Sequence, residues 1–271
     1  MASASHTSVI QRVTGILNLF SASKPLITID DIATCLDIST ASAYRYAAEL
    51  SQAGLISPTS GRYRLGPKII ELEYLIRSYD PIIQAGHPLM TGLAELTGCD
   101  VLLCNVYDTH IVNVHHIRGE QPLSITYTKG LPMPLFRGSQ ARIALAHMDR
   151  RKLKRLYEQG MADPHLCADV RQLGDSWQAF SKTLKRIRSQ GYYISRGELD
   201  EDVTGIAAPI FGGNDDIQAS LVIGRHSQLP SRLSEAALIN LAMETAKEIS
   251  RRIGIGGSPE PEAAGSAPGG H

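Results

Sequence analysis

The chain has 271 residues, a length that fits two modest domains or one large one. Its 27 basic and 27 acidic residues cancel, so composition announces no broad polyanion-binding surface, and no run of about 18 apolar residues is present to span a bilayer as a helix. The start of the chain lacks the basic segment and apolar core of a secretory signal, and Cys35, Cys99, Cys104 and Cys167 form no CxxC pair, which points to reduced thiols in the cytoplasm.

Val9, Val13, Ile16, Leu17 and Phe20 lay an apolar stripe along a first predicted helix. A second, shorter helix follows in "ITIDDIATCLD", where Thr28 can cap and Asp30 and Asp31 lie near the positive end of the dipole. Asp37 and Ile38 make a tight connection, and Ser39 is the next N-cap. In the third helix Ala43, Tyr46, Ala47 and Leu50 share one face, which can bury. Thr40, Ala41, Ser42, Tyr44 and Arg45 are left on the faces beside it. Two short strands are expected around Leu55–Ser57 and Arg62–Leu65, with Pro58, Ser60 and Gly61 at the turn.

Three helices, a tight turn and a two-stranded wing describe a winged helix-turn-helix. In that arrangement the third helix enters a DNA major groove, where hydroxyls bond phosphates or base edges and the Arg45 guanidinium can fork onto a guanine. Arg62 and Arg64 on the wing would reach phosphates or the minor groove. The same polar face is also what any small helical domain turns to water. Residues 1–66 carry Arg12, Lys24, Arg45, Arg62 and Arg64 against Asp30, Asp31, Asp37 and Glu49, a net charge of +1. So low a charge implies few phosphate contacts per subunit, and affinity would then require a dimer or tetramer.

Pro67 suits the first turn of a further helix, in which Ile69, Leu72, Leu75 and Ile76 are apolar. "DPIIQAGHPLMTGLAELTG" predicts another, broken or offset near Pro88. Two β-rich runs, "CDVLLCNVYD" and "HIVNVHHIRG", turn at Asp108 and Thr109, and "LSITYTKG" reads as a third strand. Three helices are expected in series near 138–147, 149–160 and 175–190, then strands at "YYISRG", "GIAAPIF" and "IQASLVIGRH", then a helix over about 233–252. Strands first, helices between and strands last describe an α+β fold, an antiparallel sheet flanked by helices. From Gly254 onward the composition is Gly, Pro, Ala and Ser with two Glu, which predicts a disordered tail over 254–271.

With these elements in order, the chain resembles the IclR family of transcriptional regulators over residues 8–252. The resemblance is carried by the three N-terminal helices with their "GRYRLGPKIIEL" ending, and by "KGLPMPLFRGSQARIALAHM", "GYYISRGELDEDVTGIAAPIF" and "IQASLVIGRH". It implies a winged-helix DNA-binding domain over 1–66, a linker helix over 67–79 and a GAF-like effector-binding domain over 80–253. It also implies homodimers or dimers of dimers that repress or activate neighbouring operons, commonly for catabolism of small organic or aromatic acids. Carried over position by position, effector contacts fall on Ser139, Gln140, Ser195, Gly205, Val222 and Gly224. Gly138, Ser139 and Gln140 open a predicted helix, whose free N–H groups and dipole suit a carboxylate, although capping by Ser139 alone would account for them. Leu135 and Phe136 lie near the same end and could add an apolar wall.

This chain departs from the family pattern in places. Asp37 stands where a turn Gly is frequent, and Ser42 where Thr is common. Ala141–Arg142 replaces a Gly-Lys pair, and "VIGR" replaces "SISG". The last change removes two hydroxyls, which favours a ligand larger or less polar than a two- or three-carbon keto acid.

Other constellations have plainer readings. Glu198, Asp200, Glu201 and Asp202 could hold a cation, but a short charge run is more often a solvated loop. His115 and His116 are adjacent strand residues and point to opposite faces, so they cannot share a metal, and Cys99 and Cys104 are likewise opposed. No metal or cofactor is expected. The basic run "DRRKLKRLYE" has a core stripe in Leu153, Leu156 and Tyr157, and Trp177 reads as packing. No GxSxG elbow, P-loop or HExxH is present. A small-molecule-binding protein with some other activity, or a winged-helix module for protein contacts, stand as the alternatives.

Overall fold

The computed structural model describes residues 8–255, and the tail expected beyond that lies outside the described residues. The chain divides into two compact units that part between Ser78 and Tyr79.

The first unit contains α1 (Val9–Leu17), α2 (Ile29–Leu36), α3 (Thr40–Gln52), β1 (Ile56–Thr59), β2 (Arg62–Leu65) and all but the last residue of α4 (Pro67–Tyr79). Its core is Ile16, Ile27, Ile32, Ala43, Ala47, Leu50 and Ile56, with Tyr46 at its margin. Thr28 and Asp31 form a reciprocal capping box at the start of α2. Asp37 ends that helix in the left-handed region, at φ 52° and ψ 53°, a conformation that Asp tolerates because its short side chain can bond locally. Two details differ from expectation. Val9 is 66% exposed, because it lies one turn before Val13, the first residue of α1 to reach the core. Pro58 lies inside β1, opposite Tyr63, where a missing N–H is tolerated at an edge. The turn is made by Ser60 and Gly61 alone, both at positive φ (48° and 75°), the geometry of a type I′ hairpin. Ile27, before α2, also joins the wing: it exchanges two backbone hydrogen bonds with Tyr63, of 2.9 and 2.8 Å.

In the second unit five antiparallel strands lie in the order β4-β3-β7-β6-β5. They are β3 (Asp100–Tyr107), β4 (His110–Ile117), β5 (Tyr193–Arg196), β6 (Val203–Phe211) and β7 (Ile217–His226). Both faces are covered. On one, Val101, Leu103, Ile206, Ala208, Leu221 and Ile223 meet α5 (Pro81–Thr97) and α10 (Glu235–Ile255). On the other, Leu102, Cys104, Ala207 and Val222 meet α6 (Ser139–His147), α7 (Arg150–Ala162), α8 (Cys167–Leu173) and α9 (Trp177–Gln190). Strand alternation accounts for this division, and it places the buried Cys99 and Cys104 in different cores.

The structure corrects four expectations here. Pro88 does not break α5, because it sits on the exposed face, where water can satisfy the carbonyl it frees. "LSITYTKG" is not a strand. Leu123, Ile125 and Tyr127 alternate as a strand would, but the Thr126 N–H bonds the Asp200 carboxylate instead of a neighbouring strand. The helical stretch contains a fourth helix, α8, which is too short to show a clear period. Finally, α10 continues through Gly254 to Ile255, past the point where the tail was expected to begin.

Candidate functional site

In the first unit the exposed side of α3 is the surface to consider. Ser39 caps the helix by accepting from the Ser42 N–H at 3.3 Å, and its hydroxyl lies 3.1 Å from that of Ser42. Thr40, Ala41, Tyr44 and Arg45 are exposed, Tyr44 by 57%, while Ser42 is half-buried. Arg62 and Arg64 are exposed on β2. Behind this face the Arg12 guanidinium donates to the Tyr46 hydroxyl at 3.0 Å and ties α1 to the buried side of α3. The sequence alone gave no sign of that bond.

In the second unit, Ser139, Gln140, Ser195, Gly205, Val222 and Gly224 come together around one cavity of about 40 Å³. They come from α6, β5, β6 and β7, and register explains the meeting: Ser195 pairs with Gly205, and Gly205 with Gly224. Gly205 leaves the space. A Cβ there would lie 2.8 Å from Ser139 Oγ and 3.0 Å from Ser195 Oγ. Leu102, Leu123, Ile125, Tyr127 and Met133 complete the apolar walls, and Leu199, Asp200 and Val203 lie along the rim. Those residues were missed. Leu123, Ile125 and Tyr127 share a side by alternation, the one signal that could have marked them. Leu135 and Phe136 do not line the cavity; Phe136 is buried in the core, edge-on to Phe180 at 6.4 Å.

The start of α6 differs from the simple picture of free N–H groups. Gly138 is the N-cap, at φ 85°, and has no side chain to cap with, and Ser139 does not play that part. Instead Glu198 occupies the first position. Its carboxylate accepts from the Gly138 N–H at 3.0 Å and from the Tyr193 hydroxyl at 2.9 Å, and it pairs with Arg142 at 3.0 Å. Arg142, 7% exposed, also reaches Gln172 at 3.2 Å and lies over the Tyr193 ring at 5.1 Å. Burial first, then the neighbouring Glu198, pushes the Tyr193 phenol up to about 12, so it stays a donor. Asp200 accepts from both the N–H and the hydroxyl of Thr126, fastening the two rim segments across the cavity. The expected solvated loop is therefore two latches, Glu198 and Asp200, and only Glu201 and Asp202 face water. Burial also pushes the thiol of Cys104, in the core behind the cavity lining, up to about 12, with the Gln140 side chain as its polar contact.

His115 and His116 do point apart: His115 Nε2 meets His87 Nδ1 at 2.9 Å, and His116 Nε2 meets the buried Asp100 carboxylate at 2.8 Å. Among the described residues no group of three His, Cys, Asp or Glu could hold a metal ion, and no helix is long and apolar enough to cross a membrane. Leu153 and Leu156 of the basic run are buried, and Trp177 stacks on Phe180 at 6.0 Å, away from the cavity.

Comparison with known proteins gives the following. Residues 9–59 match the IclR helix-turn-helix domain, and residues 76–251 match the bacterial transcriptional regulator IclR C-terminal domain. The chain is 25% identical to the HTH-type transcriptional regulator XynR of Escherichia coli over 234 residues, 85% of this chain and 90% of that one. An IclR family transcriptional regulator from Brucella abortus has a similar fold, with TM-score 0.73, 23% identity and coverage of 90% and 91% of the two chains. So does an IclR homologue from Microbacterium hydrocarbonoxydans solved with 4-hydroxybenzoate, with TM-score 0.69, 19% identity and coverage of 91% and 99%.

Proposed function

The chain belongs to the IclR family of bacterial transcriptional regulators, and from that premise we propose that it reads a pseudo-palindromic operator in the cytoplasm as a homodimer or dimer of dimers, under control of a small organic or aromatic acid. It is a helix-turn-helix DNA-binding regulator with a C-terminal ligand-binding domain, not an enzyme. The domains we assign are a winged helix over 1–66, a linker helix over 67–79 and a GAF-like effector domain over 80–253.

The observation that carries the effector reading is the meeting of Ser139, Gln140, Ser195, Gly205, Val222 and Gly224 around one cavity. Ser139 and Gln140 at the α6 N-terminus and Ser195 beside them supply polar groups, Asp200 is the one carboxylate of the lining, and the other walls are largely apolar. This suits an acid whose carboxylate meets the helix start and whose hydrocarbon body meets the walls. The 4-hydroxybenzoate bound by the Microbacterium homologue has that character. A cavity that accepts benzene measures about 150 Å³. At about 40 Å³ this one must widen to take such a ligand, and the Asp200–Thr126 latch is the contact that has to give. Binding would thereby alter the second unit and change operator affinity, a coupling of about 1–3 kcal/mol.

The groove-facing residues we assign are Thr40, Ala41, Ser42, Tyr44 and Arg45 on α3, with Arg62 and Arg64 on the wing. The experiment is a thermal-shift screen of aliphatic and aromatic acids, repeated with Gln140→Ala and Ser195→Ala. Each hit is then taken into a gel shift on the DNA upstream of the gene. A hit that stabilises wild type and both variants equally places the site elsewhere. A hit that binds but leaves the gel shift unchanged refutes the coupling.

A further inference from the structure

A second cavity, of about 160 Å³, lies at the end of the sheet where β3 begins and β7 ends. It is separate from the cavity of the proposed function, though Gly224 borders both. Its lining is cationic. Arg225 and Arg232 face it with His226, and Glu120 is the one carboxylate among its lining residues. Glu120 is already committed to Arg232 in an ion pair. Arg225 has no such partner. Among the described residues its Nη1 donates only to the His226 carbonyl, at 3.1 Å, and its buried Nε meets no acceptor at all. A guanidinium offers five donors in a fixed fork, and a buried donor left unpaired is costly.

Strand alternation explains how the charge comes to be there. Leu221 and Ile223 on the same side of β7 enter the apolar core under α5 and α10, and Arg225 is the next position on that side, at the point where the core ends. The C-terminal end of α5, at Thr97 and Gly98, and the segment from Leu229 to Arg232 wall the space. One fixed positive charge therefore remains after Glu120 and Arg232 cancel.

We propose that this cavity is a second ligand site, for a small oxyanion such as a phosphate or a short carboxylate, held bidentately by Arg225 with Arg232 at the rim. The anion supplies the acceptors that Arg225 Nε lacks and neutralises the residual charge. Arg232 donates to the Glu95 carbonyl at 3.4 Å and pairs with Glu120; it can serve because its side chain is 51% exposed and that of Glu120 62%, so the ion pair can open at small cost.

The test uses the full chain and inorganic phosphate, with sodium chloride at matched ionic strength as the reference. Melting temperature is followed as phosphate is raised, in wild type, Arg225→Gln, Arg232→Gln and Gln140→Ala. General salting effects of phosphate move all four proteins alike. The expected result is a saturable rise in wild type and in Gln140→Ala, weakened at least tenfold in apparent affinity by Arg225→Gln and also weakened by Arg232→Gln. If Arg225→Gln does not fold, Arg232→Gln, altered at an exposed position, decides. A response that is absent beyond chloride, or that persists in both arginine variants, overturns the proposal. A response lost only in Gln140→Ala places the anion in the first cavity, which also overturns this site while leaving the proposed function standing.

Discussion

Arg45 is the exposed cation of α3, so the groove assignment can be tested on one side chain. Arg45→Ala is expected to lose specific operator binding, at about 1–3 kcal/mol per half-site, with fold and effector binding intact. Arg62→Ala should weaken all sequences alike and flatten the salt dependence. Specific and non-specific binding that match wild type in Arg45→Ala would refute the assignment. A second residue reports on acid sensitivity. His147 packs edge-on to Phe211 at 4.9 Å, and its buried Nε2 has no hydrogen-bond partner among the described residues. Burial, and then the nearby Arg188, lowers its pKa from 6.5 to about 4. The folded state therefore binds the proton less readily than the unfolded one. Its contribution is fully present above pH 6.5 and is lost as pH falls toward 4. Urea unfolding of wild type and His147→Gln at pH 7 and pH 5 should show a smaller acid loss in the variant, and equal losses would exclude His147 as a source.

At the level of elements, the helix ends carry energies that can be measured separately. Thr28→Ala removes the acceptor for the Asp31 N–H, at 3.1 Å, and half of the capping box, and it should cost the first unit about 1 kcal/mol. Asp37→Gly should act in the other direction. It relieves a non-glycine residue at φ 52°, and a gain of up to about 1 kcal/mol in chemical denaturation is expected. A loss would show that the Asp37 side chain holds the turn. In the second unit the latch segment is the informative element. Its run of acidic residues was open to a solvated reading, because a charge pattern does not say which carboxylates fold back onto a helix start. Glu198 finds Gly138 only because the segment after β5 meets the start of α6, although the two residues are 60 apart in sequence.

For the whole molecule, the unexplained feature is α4, which has no buried residue among its 13. Ile70 is 72% exposed and Tyr74 52%, and the two are four residues apart, on one face of the helix. An apolar face of this kind on a helix is expected to pair with another copy. Ile70→Asp combined with Tyr74→Asp should shift sedimentation toward the monomer and weaken operator binding, since each copy of the first unit brings few phosphate contacts. An unchanged assembly would move the interface elsewhere, to the exposed Val9 and Ile10 of α1 or to the second unit.

Much of the architecture was decided by the sequence alone. The buried face of α3, the caps at Thr28 and Ser39 and the opposed pairs of cysteines and histidines follow from period, capping chemistry and strand alternation, all of which act within a few residues. The six cavity positions came from resemblance, since hydroxyls and glycines scattered over 86 residues carry no local signal. Only the tertiary structure decided that Thr126 bonds Asp200 instead of a neighbouring strand, that Glu198 accepts from the Gly138 N–H ahead of α6, and that Arg225 Nε meets no acceptor among the described residues. Each of these depends on which partner is within about 3 Å in the folded chain, and hydrogen bonds and ion pairs at that range are set by the meeting of distant segments that no local pattern records.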